Sequence, residues 1–245
     1  MTFTRSQCAA FILCLGALIG CGNRQPADNF VAKPLPSVPP ATLTPGDEAS
    51  LLPLDLGNQW VYTVQINRRN GASAPIPSTY ESTWKVVAST QTAKGTQATI
   101  ESSRPGSKSG QQKWLTNSTG IYQLADGTPA VAFDPPFSLV LFPVQPGKEF
   151  TWTGTGPNGT GKPGKVTTKC TIQGSQVVDT DMGQMSAFAV EEQGSVQAGK
   201  TLARSETTVW LAPGVGIVRL YQRVLVGDQG YELLLKLKSK SLMKS

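Results

Sequence analysis

The chain of 245 residues has no histidine. That excludes a Ser-His-Asp or Cys-His catalytic unit, His-ligated zinc and a His-based pH switch. Cysteine is nearly as scarce. Of four, Cys8, Cys14 and Cys21 fall at the start and Cys170 stands alone, so the body of the chain has no partner for a disulfide. Cys170 lies between Lys169 and Thr171 in an alternating stretch, which reads as a buried inert thiol rather than a reactive one. Long apolar runs are missing too. The run from position 8 to 20 holds 13 residues, short of the roughly 17 to 25 that a spanning helix needs, so a transmembrane anchor is disfavoured. Charged residues make up 16% and the net charge is +6. Without dense Lys/Arg clusters interleaved with aromatics, no nucleic-acid partner is expected. No metal and no cofactor is expected.

What is present begins at the N-terminus. Arg5 precedes the apolar run, and the run ends on Leu18-Ile19-Gly20-Cys21. A short charged start, a brief apolar stretch and small residues at a cut site make a secretory signal, and an ordinary signal peptide is the rival reading. The Leu-x-Gly-Cys ending resembles the lipobox of bacterial lipoproteins. The resemblance implies a signal peptide over 1–20, cleavage after Gly20, diacylglycerol on the Cys21 sulfur and an acyl chain such as palmitate on its new amine. It also implies a membrane as partner. Gly22 stands where an Asp would resemble an inner-membrane retention signal, so the expected place is the outer membrane, facing the periplasm. Removal of 1–20 leaves 245 − 20 = 225 residues and a charge of 21 − 16 = +5.

Residues 21–50 hold Pro26, Pro34, Pro36, Pro39, Pro40 and Pro45 and few large apolar residues. Such a stretch buries too little surface to offset its ordering entropy and is expected to be a disordered tether. From 51 to 242 the signal is period two. Trp60, Tyr62, Val64 and Ile66 alternate with Val61, Thr63 and Gln65, and ten further candidate strands follow between Gly, Pro, Asn and Asp. The expected fold is all-β and antiparallel, with about a dozen strands. A strongly curved open sheet, a half-barrel and a sandwich all suit it.

One pattern recurs. Pro53-x-x-x-Gly57-x-x-Trp60-x-Tyr62 is echoed by Pro143-x-x-x-Gly147-x-x-Phe150-x-Trp152. Either the chain is two diverged β modules, or a turn followed by an aromatic strand has simply occurred twice. Each pair of rings shares one strand face. Trp60, Tyr62, Phe150 and Trp152 are therefore candidate ligand-lining residues, with plain core packing the commoner use of such rings. Leu54-Asp55-Leu56-Gly57-Asn58-Gln59-Trp60-Val61-Tyr62, and Val209 to Val218 followed by Tyr231-Glu232-Leu233, resemble patterns of uncharacterised all-β envelope lipoproteins. That family implies a fold and no activity.

Motifs that promise chemistry dissolve on inspection. Gly156 to Lys162 has Walker A spacing, but Pro163 replaces the Mg²⁺-holding Ser/Thr and a strand follows where a helix is needed. Ser82-Thr83-Trp84-Lys85 fits S-x-x-K, yet in a strand Ser and Lys face opposite sides. Asp179 to Gly183 opens like a calcium loop, with Gly183 at a ligand position and no distal Glu at the needed distance. Glu191 and Glu192 are adjacent and point apart in a strand. In the final strand Leu233, Leu235 and Leu237 alternate with Lys236, Lys238 and Lys240. Those lysines suit either an anionic lipid surface or protection of a sheet edge, the commoner use.

Two functions remain. The first is a membrane-anchored envelope lipoprotein acting as a non-catalytic binding or accessory module for a protein partner or an apolar ligand. The second is a His-independent hydrolase of the envelope using carboxylates such as Asp179, Asp181, Glu191 or Glu206.

Overall fold

The structure is a computed structural model, and it describes residues 38–71, 74–107, 109–158, 162–198 and 201–243. The signal segment, Cys21 and most of the expected tether lie outside the described residues. A short 3₁₀ turn at Glu48–Leu51 precedes twelve strands. The first six are β1 (Gln59–Asn70), β2 (Ile76–Thr92), β3 (Gly95–Ser103), β4 (Gly110–Asn117), β5 (Gly120–Gly127) and β6 (Ala130–Leu141). The second six are β7 (Glu149–Pro157), β8 (Pro163–Thr180), β9 (Gly183–Ala198), β10 (Thr201–Ala212), β11 (Gly216–Val226) and β12 (Gln229–Ser241).

Each strand pairs antiparallel with the next, and β12 returns to β1 from Gln59↔Ser241 to Asn70↔Gln229. The sheet is therefore a closed barrel rather than the open or half-barrel sheet expected. Closure follows from matched lengths at the two termini: β1 and β12 run side by side over their whole extent, which leaves no free edge there.

Alternation decides which side chains enter the barrel. Along β8, Val166, Thr168, Cys170 and Ile172 are buried, while Lys165, Thr167 and Lys169 are exposed. Along β12, Leu233, Leu235 and Leu237 are buried. Apolar-in, polar-out is the reverse of a membrane-spanning barrel, which faces its apolar side chains outward. No helix among the described residues is long and apolar enough to cross a membrane.

One end of the barrel is closed by the chain that leads into it. Leu51, Leu52 and Leu54 are buried in the core. The Gly214 amide donates to the Ser50 carbonyl at 2.9 Å, which ties this segment to the β10–β11 turn. Further upstream, Ala41 and Leu43 pack against the core and the Ala41 amide donates to Ser175 Oγ at 2.6 Å. The described part of the Pro-rich stretch thus lies on the barrel.

The sequence echo has a backbone counterpart. Gly57 donates to Val86 O at 3.0 Å and Val86 donates back to Asn58 O at 2.8 Å. Ninety residues on, Gly147 donates to Ile172 O at 2.7 Å and Ile172 donates back to Lys148 O at 2.9 Å. Both glycines sit at positive φ, 91° and 83°, a region other residues adopt only at a cost. The next turn repeats as well: Thr92 Oγ1 donates to Gly95 O at 2.8 Å and Thr180 Oγ1 to Gly183 O at 2.7 Å. The barrel is two six-stranded halves that open in the same way.

The halves meet differently at their two junctions. β1 and β12 pair along their length, whereas β6 and β7 pair only at Asp134↔Thr155 among the described residues. Pro135 and Pro136 on β6 have no N–H to give to a ladder. Instead the Trp152 indole N–H donates to the Pro136 carbonyl at 2.9 Å, so a side chain bridges the seam.

Candidate functional site

The four aromatic candidates fall into two clusters. In the first half, Trp60 and Tyr62 are 1% exposed. Their polar tips are satisfied by the β10–β11 turn and the strand after it: Trp60 Nε1 donates to Val215 O at 2.6 Å and Tyr62 OH to Ile217 O at 2.9 Å. Tyr62 meets Trp84 edge-on at 5.0 Å between ring centres. Leu52, Ile100, Trp114 and Ile217 complete this wall, and the rings leave no space between them for a water molecule. In the second half, Trp152 packs edge-on against Phe133 at 5.8 Å and Phe137 at 5.3 Å. Phe150 is half-buried at the rim of the core. The two pairs hold corresponding places in the two halves, each with its own neighbours.

The interior also holds polar groups that sequence reading passed over. Glu192 is 7% exposed and points into the barrel from β9, between Cys170 on β8 and Thr207 on β10. Burial pushes the Glu192 carboxyl up to about 8, so it carries its proton at neutral pH. Cys170 is fully buried, and burial pushes its thiol up, away from the thiolate form, an effect the Glu192 charge adds to once that carboxyl ionises. Beside them, Gln222 Nε2 donates to Thr207 Oγ1 at 3.3 Å, and Tyr231 OH is 2.7 Å from Gln222 Oε1. Gly194 leaves room for two hydroxyls: a Cβ there would lie 2.8 Å from Ser205 Oγ and 3.0 Å from Thr168 Oγ1.

A second polar group occupies β4 and β5. Gln112, Gln123 and Asp126 are each 2% exposed, and Trp114 Nε1 donates to Gln112 Oε1 at 3.2 Å. Gln123 Nε2 has no partner among the described residues.

A signal for these groups was in the sequence. Glu192 falls in phase with Val190 and Val196, and Gln222 with Leu220 and Val224. A polar residue in the apolar register of a strand is a buried polar residue.

The carboxylates named from sequence lie elsewhere. Asp179 and Asp181 are exposed at the β8–β9 turn, where Gln184 Nε2 donates to Asp179 Oδ1 at 3.3 Å. Glu191 is exposed on the outer wall and accepts from Gln173 Nε2 at 3.1 Å. Glu206, also exposed, lies 3.8 Å from Arg223 Nη1. The structure brings none of these four into the interior.

The remaining motifs settle as turns and strands. Lys162 N–H donates to Asn158 Oδ1 at 3.1 Å across the β7–β8 loop, whose residues 159–161 lie outside the described residues. Ser82 is buried and Lys85 exposed on β2, on opposite faces. β12 is paired to β1 along its length, and to β11 only as far as Lys236. Protection of a free edge therefore has no place at Lys236 and stays open to Lys238 and Lys240, beyond the β11 pairing. Lys238 pairs with Glu81 across the outer wall.

No protein-family model matches the chain, and no curated protein matches it. Two solved structures are similar in shape. One is a "putative exported protein with YmcC-like fold" from Bacteroides fragilis NCTC 9343, at 13% identity and a TM-score of 0.45, covering 78% of this chain and 98% of that one. The other is a "putative lipoprotein" from Parabacteroides distasonis ATCC 8503, at 10% identity and a TM-score of 0.48, covering 78% of this chain and 98% of that one. Likenesses this distant carry no argument about activity.

Proposed function

We propose that the protein is a lipid-anchored component of the bacterial envelope, held at the outer membrane by acyl chains on Cys21. Its barrel acts as a rigid, non-catalytic module that engages an envelope protein through its outer surface. The observation that carries the non-carrier part of this reading is the packing of Trp60, Tyr62, Trp84 and Trp114 against Leu52 and Ile217 with no water-sized space among them. An apolar cargo needs a cavity of about 300 Å³ or more. Trp60 and Tyr62 also spend their polar tips on backbone carbonyls of the same wall. The Leu18-Ile19-Gly20-Cys21 segment supports the anchor.

Purified protein tests the choice between carrying a ligand and presenting a surface. Organic extraction should recover no apolar molecule beyond the chains bound to Cys21, and a fluorescent lipid probe should stay in the aqueous phase. Saturable one-to-one uptake of the probe, lost in Trp60→Ala, would make the barrel a carrier.

A further inference from the structure

Large exposed apolar side chains are distributed unevenly over the barrel. Among the described residues they are Leu56, Ile76, Val87, Val177, Met182, Leu202 and Met243. Five of these seven lie at the closed end, and the other two, Ile76 and Leu202, begin β2 and β10 at the opposite end. Bonds between the segments that carry them place the five on neighbouring stretches of this end. The Asp181 amide donates to Leu237 O at 3.0 Å, which sets the β8–β9 hairpin tip, with Met182, against β12 where its pairing with β11 has ended. Beyond β12, the Met243 amide donates to Asn58 Oδ1 at 2.7 Å, and its side chain lies 3.5 Å from the place a Cβ would take on Gly57. Leu56 precedes that glycine, and the Gly57–Val86 bond sets Val87 next in line. Val177 lies opposite Ser186 on the same hairpin, and the Ser186 hydroxyl donates to the Pro39 carbonyl.

Pro39 adjoins the first described residue, so the chain toward Cys21 departs from this same end. The separation is 38 − 21 = 17 residues, a reach of at most about 60 Å at full extension. Lys85, Lys238 and Lys240 stand exposed on the adjoining wall of β2 and β12. Asp55 and Asp181 lie at this end too and Glu81 holds Lys238, so charge is the smaller contribution and the apolar side chains the larger.

We infer that the closed end is a membrane-docking face: Leu56, Val87, Met182 and Met243 rest in the headgroup region of a phospholipid surface, with Lys85 and Lys240 beside anionic headgroups. This rests on the lipid-anchor reading and adds an orientation to it. The face opposite, with the β1–β2 and β9–β10 loops, is then the one presented to the envelope interior. Apolar residues with Lys85 and Lys240 on the adjoining wall suit an interface between water and acyl chains, where each group meets its own medium.

The acylated full chain, reconstituted in vesicles of phosphatidylethanolamine and phosphatidylglycerol, tests this. Met182→Cys, Met243→Cys and Leu202→Cys each carry a fluorophore; buried Cys170 does not react and acylated Cys21 is blocked. A lipid-borne quencher should quench the labels at 182 and 243 several-fold more than the label at 202. Equal quenching of all three on vesicle-bound protein overturns the docking face while leaving the anchor standing. Protein that does not float with vesicles removes the anchor itself. Labels at 182 and 243 shielded from lipid-borne and aqueous quenchers alike would mean that another protein covers this end, which also overturns it.

Discussion

Glu192 sits in the apolar register of β9, and its burial raises the carboxyl from an ordinary value of 4.5 to about 8. The sign of the pH dependence follows. The native chain keeps a proton that the unfolded chain releases, so stability falls as pH rises through the window from 4.5 to about 8 and is level above it. Glu192→Gln removes the ionisable group and keeps a donor and an acceptor. It should leave stability near pH 4 little changed and raise it at pH 8 by up to several kcal/mol, since each unit of pKa difference between folded and unfolded chain is worth about 1.4 kcal/mol. Urea unfolding at the two pH values checks this, and a difference independent of pH would contradict it. Trp60→Ala tests the packing reading at the same scale. Trp60 is 1% exposed with its indole N–H bonded, and its truncation should cost about 3–5 kcal/mol in the same assay. A loss under about 1 kcal/mol would mean the ring borders open space.

At the scale of elements, the alternation of Trp60, Tyr62, Val64 and Ile66 was enough to read β1, because strand sides follow parity alone. The paired turns were legible as well, since Gly57 and Gly147 punctuate the same spacing. Barrel closure was not, because pairing of β1 with β12 joins residues at opposite ends of the domain and no local pattern encodes it. The single pairing of β6 with β7 was equally hidden, although Pro135 and Pro136 marked the strand that could not pair fully. Glu192 was missed for a simpler reason: reading Glu191 and Glu192 as a pair asked whether they face each other and left aside which of them faces in. The repeat itself makes a prediction. Gly147 has open space where a Cβ would go, and Gly57 meets only Met243 at van der Waals distance. Gly57→Ala and Gly147→Ala should therefore cost similar amounts, about 1–2 kcal/mol each, through the positive φ alone. Thermal unfolding of the two variants reads this directly, and a large inequality would break the equivalence of the two turns.

At the scale of the molecule, two halves close into one barrel, the rings around Trp60 and Tyr62 pack without a water-sized gap, the leading segment covers one end, and the described chain nearest Cys21 lies at that end. On the proposed anchoring, a barrel held through that end would display its outer surface close to a membrane. The whole account depends on the anchor. Mass spectrometry of the N-terminal peptide from envelope fractions tests it most directly. The account predicts a mature chain that starts at Cys21 and carries a diacylglyceryl group on sulfur and an acyl chain on the amine. A chain that starts elsewhere, or an unmodified Cys21, would contradict it.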